Sequence, residues 1–309
     1  MERMCCLAGV SRASYYRYLV VVAPEETEIA TRSAIQTVVL THHRRYGYRR
    51  VTADLNRAGI VINHKRVLRI MREDSLLAIR YRKYVLTTDS QHDCQVHMNL
   101  AARMTVTGIN QLWVADITYI RLRVEFVFLA VVIDRFSRKT IGWSLDRTLA
   151  ARVAVTALQQ AIDYRQPPPG VVHHSDQGIQ YACADYQKVL ATSHMIPSMS
   201  RPANPYDNAA CESFMKTLKQ EEIYCNQYRD FEELSAHLEE FIENYYNRQR
   251  LHSALGYRTP EEFERDTAGA NASAVTNAAA TMKFFALDKA VAKVTGSSLP
   301  TRLQQGTSP

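Results

Sequence analysis

The sequence predicts an α/β domain preceded by a basic helical region, and three observations predict it. Five β-rich runs lie between residues 113 and 199, the first three joined by short connections and the last two separated by helical stretches. Long segments of helical period flank them. The positive charge, in turn, is confined to the first part of the chain: residues 1–100 carry 16 Lys+Arg against 9 Asp+Glu, whereas residues 101–309 carry 22 against 22. Local basic charge of this kind attracts a polyanion such as nucleic acid.

The elements follow in order. Ser11 can cap a helix starting at Arg12, which reads as the second half of a helix-turn-helix within an N-terminal helical segment, 1–40. Pro24-Glu25-Glu26 opens a helix to about Leu40. Residues 41–83 hold 12 Lys+Arg against Asp54, Glu73 and Asp74. There Val51, Leu55 and Ala58 recur at helical spacing, Gly59 interrupts, and Val67, Leu68, Ile70 and Met71 resume from Asn63. This predicts a helix-turn-helix with His64, Lys65, Arg66 and Arg69 on the outer face of the second helix, as DNA recognition requires, and with Arg49 and Arg50 beside it. A plain helical hairpin is the alternative. Residues 84–110 are polar and without period and read as a linker; His92, Cys94 and His97 lack the fourth ligand of a zinc site.

From 111 to 265 the chain predicts a second domain. Trp113–Ile120, Phe126–Ile133 and Lys139–Leu145 make an antiparallel meander, followed by a helix from Ala150 to Tyr164 that the Pro167-Pro168-Pro169-Gly170 run stops. Val171–Ser175 is a strand, Ala182–Ser193 a helix, Ile196–Met199 a strand, and two helices run from Asn208 to Tyr224 and from Phe231 to Tyr246. Three antiparallel strands and then strand–helix alternation is the order of a ribonuclease H-like α/β domain, with a five-stranded mixed sheet and flanking helices. A Rossmann domain would need a Gly-rich turn after its first strand, and none is present. The tail, 266–309, is rich in Ala, Thr and Ser and reads as weakly ordered. No apolar run reaches the roughly 20 residues of a membrane span and no secretory leader is evident, so a cytoplasmic, nucleoid-associated protein is expected. The six cysteines form no C-x-x-C pair and predict reduced thiols.

Three carboxylates carry the chemistry. Asp116 lies mid-strand in an apolar run, where an ionised side chain needs compensation. Asp176 follows the fourth strand, at the sheet edge where ligands collect. Glu212 is on a helix, with Lys216 and Lys219 on its face and Phe214 and Leu218 turned away. Together they would form an oxygen-rich pocket for Mg²⁺ or Mn²⁺, and two such ions about 4 Å apart promote in-line displacement at phosphorus. The lysines would hold the DNA backbone. Asp134 suits a side chain bonded to its own turn, Asn208 either touches phosphate or serves the helix start, and Glu221 and Glu222 read as solvated. His173 and His174 read as packing residues. Tyr245, Tyr246, Arg250 and His252 either bind the cut strand or pack in the core, and Thr259-Pro260-Glu261-Glu262 is a capping box.

Residues 177–211 separate Asp176 from Glu212, a spacing of 35 that resembles the Asp–Asp–35–Glu pattern of retroviral integrases and related transposases. Trp113-x-x-Asp116-Ile117-Thr118-Tyr119-Ile120, His174-Ser175-Asp176-Gln177-Gly178-x-Gln180-Tyr181 and Asn204-Pro205-Tyr206-Asp207-Asn208-Ala209-x-x-Glu212-Ser213-Phe214 are similar to the second-reading-frame transposases of the insertion-sequence-three family. Tyr46-Gly47-Tyr48-Arg49-Arg50 and Lys65-Arg66-Val67-Leu68-Arg69-x-Met71 continue the likeness upstream, Tyr246-Asn247-x-x-Arg250-x-His252 and Thr259-Pro260 downstream. The resemblance implies an integrase catalytic core in which Asp116, Asp176 and Glu212 bind two Mg²⁺ or Mn²⁺ ions, Asp116 bridging them. It implies a transposase that cuts DNA at element ends and joins them to a target. It also implies homo-oligomers that pair two ends, and fusion or partnership with an upstream-frame protein. Ala203, where relatives commonly have Gly, and the tail beyond Glu264 depart from the pattern. A non-catalytic DNA-binding regulator of transposition and a simple nuclease fit the same residues less fully.

Overall fold

The computed structural model describes residues 2–19, 26–78, 97–200 and 208–269, in two compact units divided after Val85. In the first unit α1 (Glu2–Leu7) and α2 (Arg12–Leu19) form a short pair, and the Ser11 hydroxyl accepts the Ser14 N–H at 3.0 Å, so the expected cap is present. Then come α3 (Glu26–Thr41), α4 (Tyr48–Arg57) and α5 (His64–Glu73). Ile35, Val39, Tyr46, Val51, Leu55, Val67, Ile70 and Met71 are buried together, on the stripes that the helical spacing marks out. Gly59 takes the turn between α4 and α5 at φ +86°, and Asn63 caps α5 by accepting the Lys65 N–H at 2.8 Å.

The second unit is a five-stranded sheet in the order β3-β2-β1-β4-β5. β1 (Leu112–Arg121), β2 (Phe126–Asp134) and β3 (Thr140–Asp146) pair antiparallel, whereas β4 (Val172–Ser175) runs parallel to β1 and β5 (Ile196–Met199) parallel to β4. α6 (Ala151–Arg165) packs on β2 and β3. Its Ala154, Ala157, Leu158 and Ala161 form one core with Trp113, Ala115, Ala130, Val132 and Ile141. Side chains alternate across a strand, so Val114 and Asp116 face the other way, where α9 (Ala209–Leu218) packs on β1 and β2. No described helix is long and apolar enough to cross a membrane.

The structure differs from the sequence reading in three places. The helix expected over 182–193 is two, α7 (Ile179–Ala182) and α8 (Ala184–Thr192), because Cys183 is extended between them. Two helices, α9 and α10 (Phe231–Glu239), end in π-helical turns at Lys219–Ile223 and Glu240–Tyr246. Residues 97–110 are strapped to the sheet unit: His97 bonds Gln187 at 3.1 Å, Leu100 N–H donates to Ser198 at 2.9 Å and Asn110 N–H to Asp134 at 2.8 Å. These are scattered polar bonds with no hydrophobic period, so spacing could not reveal them. Residues 84–96, with His92 and Cys94, and the tail from 270 lie outside the described residues.

The approach of α6 to β3 depends on Gly142. A Cβ there would lie 2.2 Å from the Ala157 carbonyl oxygen and 2.8 Å from Ala161 N, both rigid backbone. Gly142→Ala is therefore expected to lower stability by about 3 kcal/mol, as overpacking in a core does. A fall in the urea midpoint at unchanged slope would show it, and an unchanged midpoint would mean the helix is free to shift.

Candidate active site

Asp116 sits in the middle of β1, paired with Val131 of β2. β1 and β4 pair with a constant offset of 60 residues, Leu112 with Val172 and Val114 with His174, and Asp176 is the residue 60 beyond Asp116. β4 ends at Ser175 while β1 runs on, so Asp176 opens the loop beside the continuing strand at the carboxyl edge of the sheet. There its Oδ1 accepts the Gly178 N–H at 2.9 Å. A Cβ on Gly178 would stand 2.9 Å from that oxygen, so a larger residue there would displace the Asp176 carboxylate. Glu212 comes from the first turn of α9, where the helix dipole favours a negative charge.

The electrostatics tie the three together. The Asp116 carboxyl is raised from the ordinary 3.8 to about 7, first by burial, then by the charge of Asp176, with a smaller push from Glu212. Two groups oppose the rise: the Ile117 N–H, which donates to Oδ1 at 2.9 Å, and the Lys219 ammonium. Glu212 is exposed and raised only by desolvation. The carboxylates thus share one electrostatic environment in an open arrangement; among the described residues no three acidic, His or Cys side chains are closed into a ready metal cage. Lys219 is half-buried, with its ammonium 5.2 Å from the centre of the Tyr119 ring and its pKa lowered by desolvation. Lys216 is exposed one turn earlier.

Several readings need correction. Asn208 was expected to reach phosphate or serve the helix start; its side chain is buried, makes no cap bond, and donates to the Ala115 carbonyl at 2.9 Å, tying the start of α9 to the residue before Asp116. Glu221 and Glu222 are not solvated. Glu221 accepts two bonds from Arg250, at 2.8 and 2.7 Å, and Glu222 is buried with Tyr228 at 3.0 Å and Asn226 at 2.9 Å. Charge alone suggested solvent there, because both partners lie on distant or irregular chain. Tyr245, Tyr246, Arg250 and His252 are all buried, which settles their alternative in favour of the core.

Other readings stand as made. Asp134 accepts from Phe136 and Ser137 in its own turn, and His173 and His174 are buried against Tyr186, Ser198 and Ser200, with His173 pushed down to about 3 by burial. Thr259 and Glu262 make the reciprocal capping box. In the first unit Arg49, Lys65, Arg66 and Arg69 are exposed, while Arg50 is partly covered, its guanidinium 5.7 Å from the Tyr46 ring. Gly178 and the true part of Asn208 were missed, although a glycine two residues after a loop aspartate was a signal available in the sequence. Ala203, Asn204 and Asp207 lie outside the described residues.

Comparison with known proteins decides the family. The chain is 37% identical over 273 residues to the transposase InsF for insertion sequence IS3A of Escherichia coli (strain K12), covering 85% of this chain and 93% of that one. It is 34% identical to the uncharacterized 31 kDa protein of insertion element IS600 from Shigella sonnei, over 84% and 97% of the two chains. The chain belongs to the insertion-sequence-three family of transposases. This transposase is also 38% identical over 75% of its length, and 92% of the relative's, to the transposase for insertion sequence element IS904 of Lactococcus lactis. Integrase core domain families match residues 107–205 and 194–260, and an HTH-like domain matches 25–84. Among solved structures it is similar to the HTLV-2 integrase catalytic core domain in complex with magnesium, at 16% identity and a TM-score of 0.39 over 51% of this chain and 97% of that one. A second is the catalytic domain of Mos1 mariner transposase, at 13% and 0.37 over 50% and 75%. The transposase is a DNA-acting polynucleotidyl transferase with a ribonuclease H-like integrase core.

The raised Asp116 carboxyl has a consequence for stability. Unfolded, the group ionises near 3.8; folded, near 7; so between these values the folded state holds an extra proton and loses stability as pH rises. In EDTA, Asp116→Asn should melt higher than wild type at pH 8, by roughly a few degrees, with the gap shrinking toward pH 4. Calorimetry at both pH values checks this, and a gap independent of pH would contradict it.

Proposed function

We propose that Asp116, Asp176 and Glu212 are the catalytic triad with which this transposase cuts DNA at the ends of its element and joins the freed 3′-hydroxyl to a target. The observation that carries the reading is the like-charge environment at the end of β4, where burial and two neighbouring carboxylates hold Asp116 near 7. Carboxylates crowded in this way, with Lys219 as the cation acting on Asp116, suit a hard divalent ion such as Mg²⁺ or Mn²⁺, which replaces repulsion by attraction. Two ions, when bound, would supply Lewis acidity at the attacking and leaving oxygens of the phosphodiester.

The side chains divide the remaining work. Asp116 on β1 and Asp176 in the loop that leaves β4 hold the fixed half of the site; exposed Glu212 has the rotamer freedom to close it. Asn208 keeps α9 registered on β1, and Lys216 and Lys219 neutralise the phosphate backbone on the approach. Residues 41–83, with Arg49, Arg50, Lys65, Arg66 and Arg69, bind the duplex; residues 111–265 perform the chemistry. The partners are DNA, further copies of the chain that pair two ends, and the upstream-frame protein. The protein works at the nucleoid, in the cytoplasm.

Incubating the purified chain with a duplex that carries the element ends, with Mg²⁺ or Mn²⁺, tests the triad. Asp176→Asn should cut strand transfer by about 10²–10³-fold, the several kcal/mol a metal contributes to such a step, and leave end binding unchanged. Binding with no metal-dependent cleavage by the wild type would instead mark a regulator, and hydrolysis without joining a nuclease. For the helix-turn-helix, Arg66→Ala should lower the slope of log affinity against log salt by about 0.9 if the residue contacts phosphate. An unaltered slope would remove it from the interface.

A further inference from the structure

Beyond the carboxylates, β1 runs five further residues to Arg121 and turns back into β2. This end of the hairpin carries an aromatic and cationic surface that the triad does not use. Tyr119 and Phe126 meet edge to face with centroids 5.8 Å apart, and Phe126 is 50% exposed. The Arg121 guanidinium stands 5.6 Å from the Phe126 ring centre and the Lys219 ammonium 5.2 Å from that of Tyr119. Arg121 and Arg123 are exposed, and the one nearby acid of the turn, Glu125, is paired with Arg147 at 3.3 Å. The patch is therefore positive. Lys219 joins it to the site, because the same ammonium acts on Asp116. Tyr119 lies three residues along the strand from Asp116, about 10 Å at the rise of a β-strand and on its other face by alternation, and it is Lys219 that acts on both.

A half-exposed phenylalanine on a sheet edge is often only a cross-strand packing partner, and Tyr119 gives it one. That role explains the pair but leaves the outer face of Phe126 and the cations around both rings without a purpose. An exposed aromatic ring backed by a second ring and set among cations is what an unstacked nucleobase and its phosphate require, and stacking tolerates any base. A paired duplex offers no free base face, so such a surface discriminates in favour of unpaired DNA. Charge selects the same occupant, since an unpaired strand brings its phosphates with its bases.

We infer that Phe126 and Tyr119, with Arg121 and Lys219, form a stacking platform for an unpaired nucleotide of the strand flanking the cleaved bond. The inference deepens the proposed function and rests on it for where the strand comes from, but not for whether the surface binds unpaired DNA. Its occupant holds the flank away from the duplex, so that the end enters the carboxylate site already separated.

The test uses the full chain in EDTA, so that cleavage plays no part, and duplexes carrying the element's terminal repeat with the flank either paired or unpaired and labelled with 2-aminopurine. Wild type should bind the unpaired flank roughly tenfold more tightly and quench the probe, as one stacked base would. Phe126→Ala and Phe126→Leu should both lose the preference and the quenching while keeping their affinity for the paired duplex. Phe126→Trp should retain both. The leucine variant preserves packing area, so a loss shared by alanine and leucine separates stacking from folding. Equal wild-type affinity for paired and unpaired flanks, or equal weakening of both by Phe126→Ala, overturns the platform. Asp176→Asn should show the full preference; failure of strand transfer in the other assay therefore leaves this result intact, and failure here leaves the triad intact.

Discussion

The constraint on which the rest of the catalytic unit depends is the burial of like charges at the end of a parallel strand pair. Asp116 is ionised at neutral pH only against burial and the repulsion of Asp176 and Glu212. An isolated fold would avoid this arrangement, since a neutral or apolar residue at 116 would suit the strand better. The surroundings show how it is held. β1 is secured by pairing along both neighbours, and Trp113 and Ala115 on its other face are locked into the α6 core. The rigid strand leaves Asp116 nowhere to retreat.

Fixing one helix against that strand is the second requirement. α9 must bring Glu212 near Asp116 and Asp176, and its own contacts fix its position. Asn208 bonds the Ala115 carbonyl, Phe214 packs edge to face on Tyr246 at 4.8 Å, and Arg250 clasps Glu221 beyond the helix end. Arg250 is held firmly in its charged form by that pair despite its burial. Breaking such a pair costs far more than its net contribution to folding, because the surviving charge is buried alone. The π-helical turn at Lys219–Ile223 carries the Glu221 anchor and begins with Lys219, whose ammonium acts on Asp116 and stands over the Tyr119 ring.

The first unit is built on a different principle. Its three longer helices bury one apolar stripe each and leave Lys65, Arg66 and Arg69 on the outer face of α5. Arg32 ties α3 to the far end of α5 through Glu73 and Asp74, an exposed network that sets the angle between helices more than it adds stability. The HTH-like unit and the integrase core unit thus have separate cores, each legible by itself.

How much could be read without coordinates follows from the range of the forces. The strands, α3 to α6 and the caps at Ser11 and Thr259 were visible, because each depends on neighbours within a few residues, and the three proposed carboxylates were singled out by a motif of fixed spacing. The packing of 97–110 on the sheet, the burial of Glu221 and Glu222, the clamp made by Asn208 and the split at Cys183 were not. Each depends on a partner brought close only by folding, as Glu221 is with Arg250 and Asn208 with Ala115. Sequence by itself determined which groups are proposed for the work of this transposase and on which local elements they ride. Only the tertiary structure decided that β1 pairs parallel with β4 and so brings the Asp176 loop beside the strand that carries Asp116, since strand register is set by pairing and packing across the whole sheet.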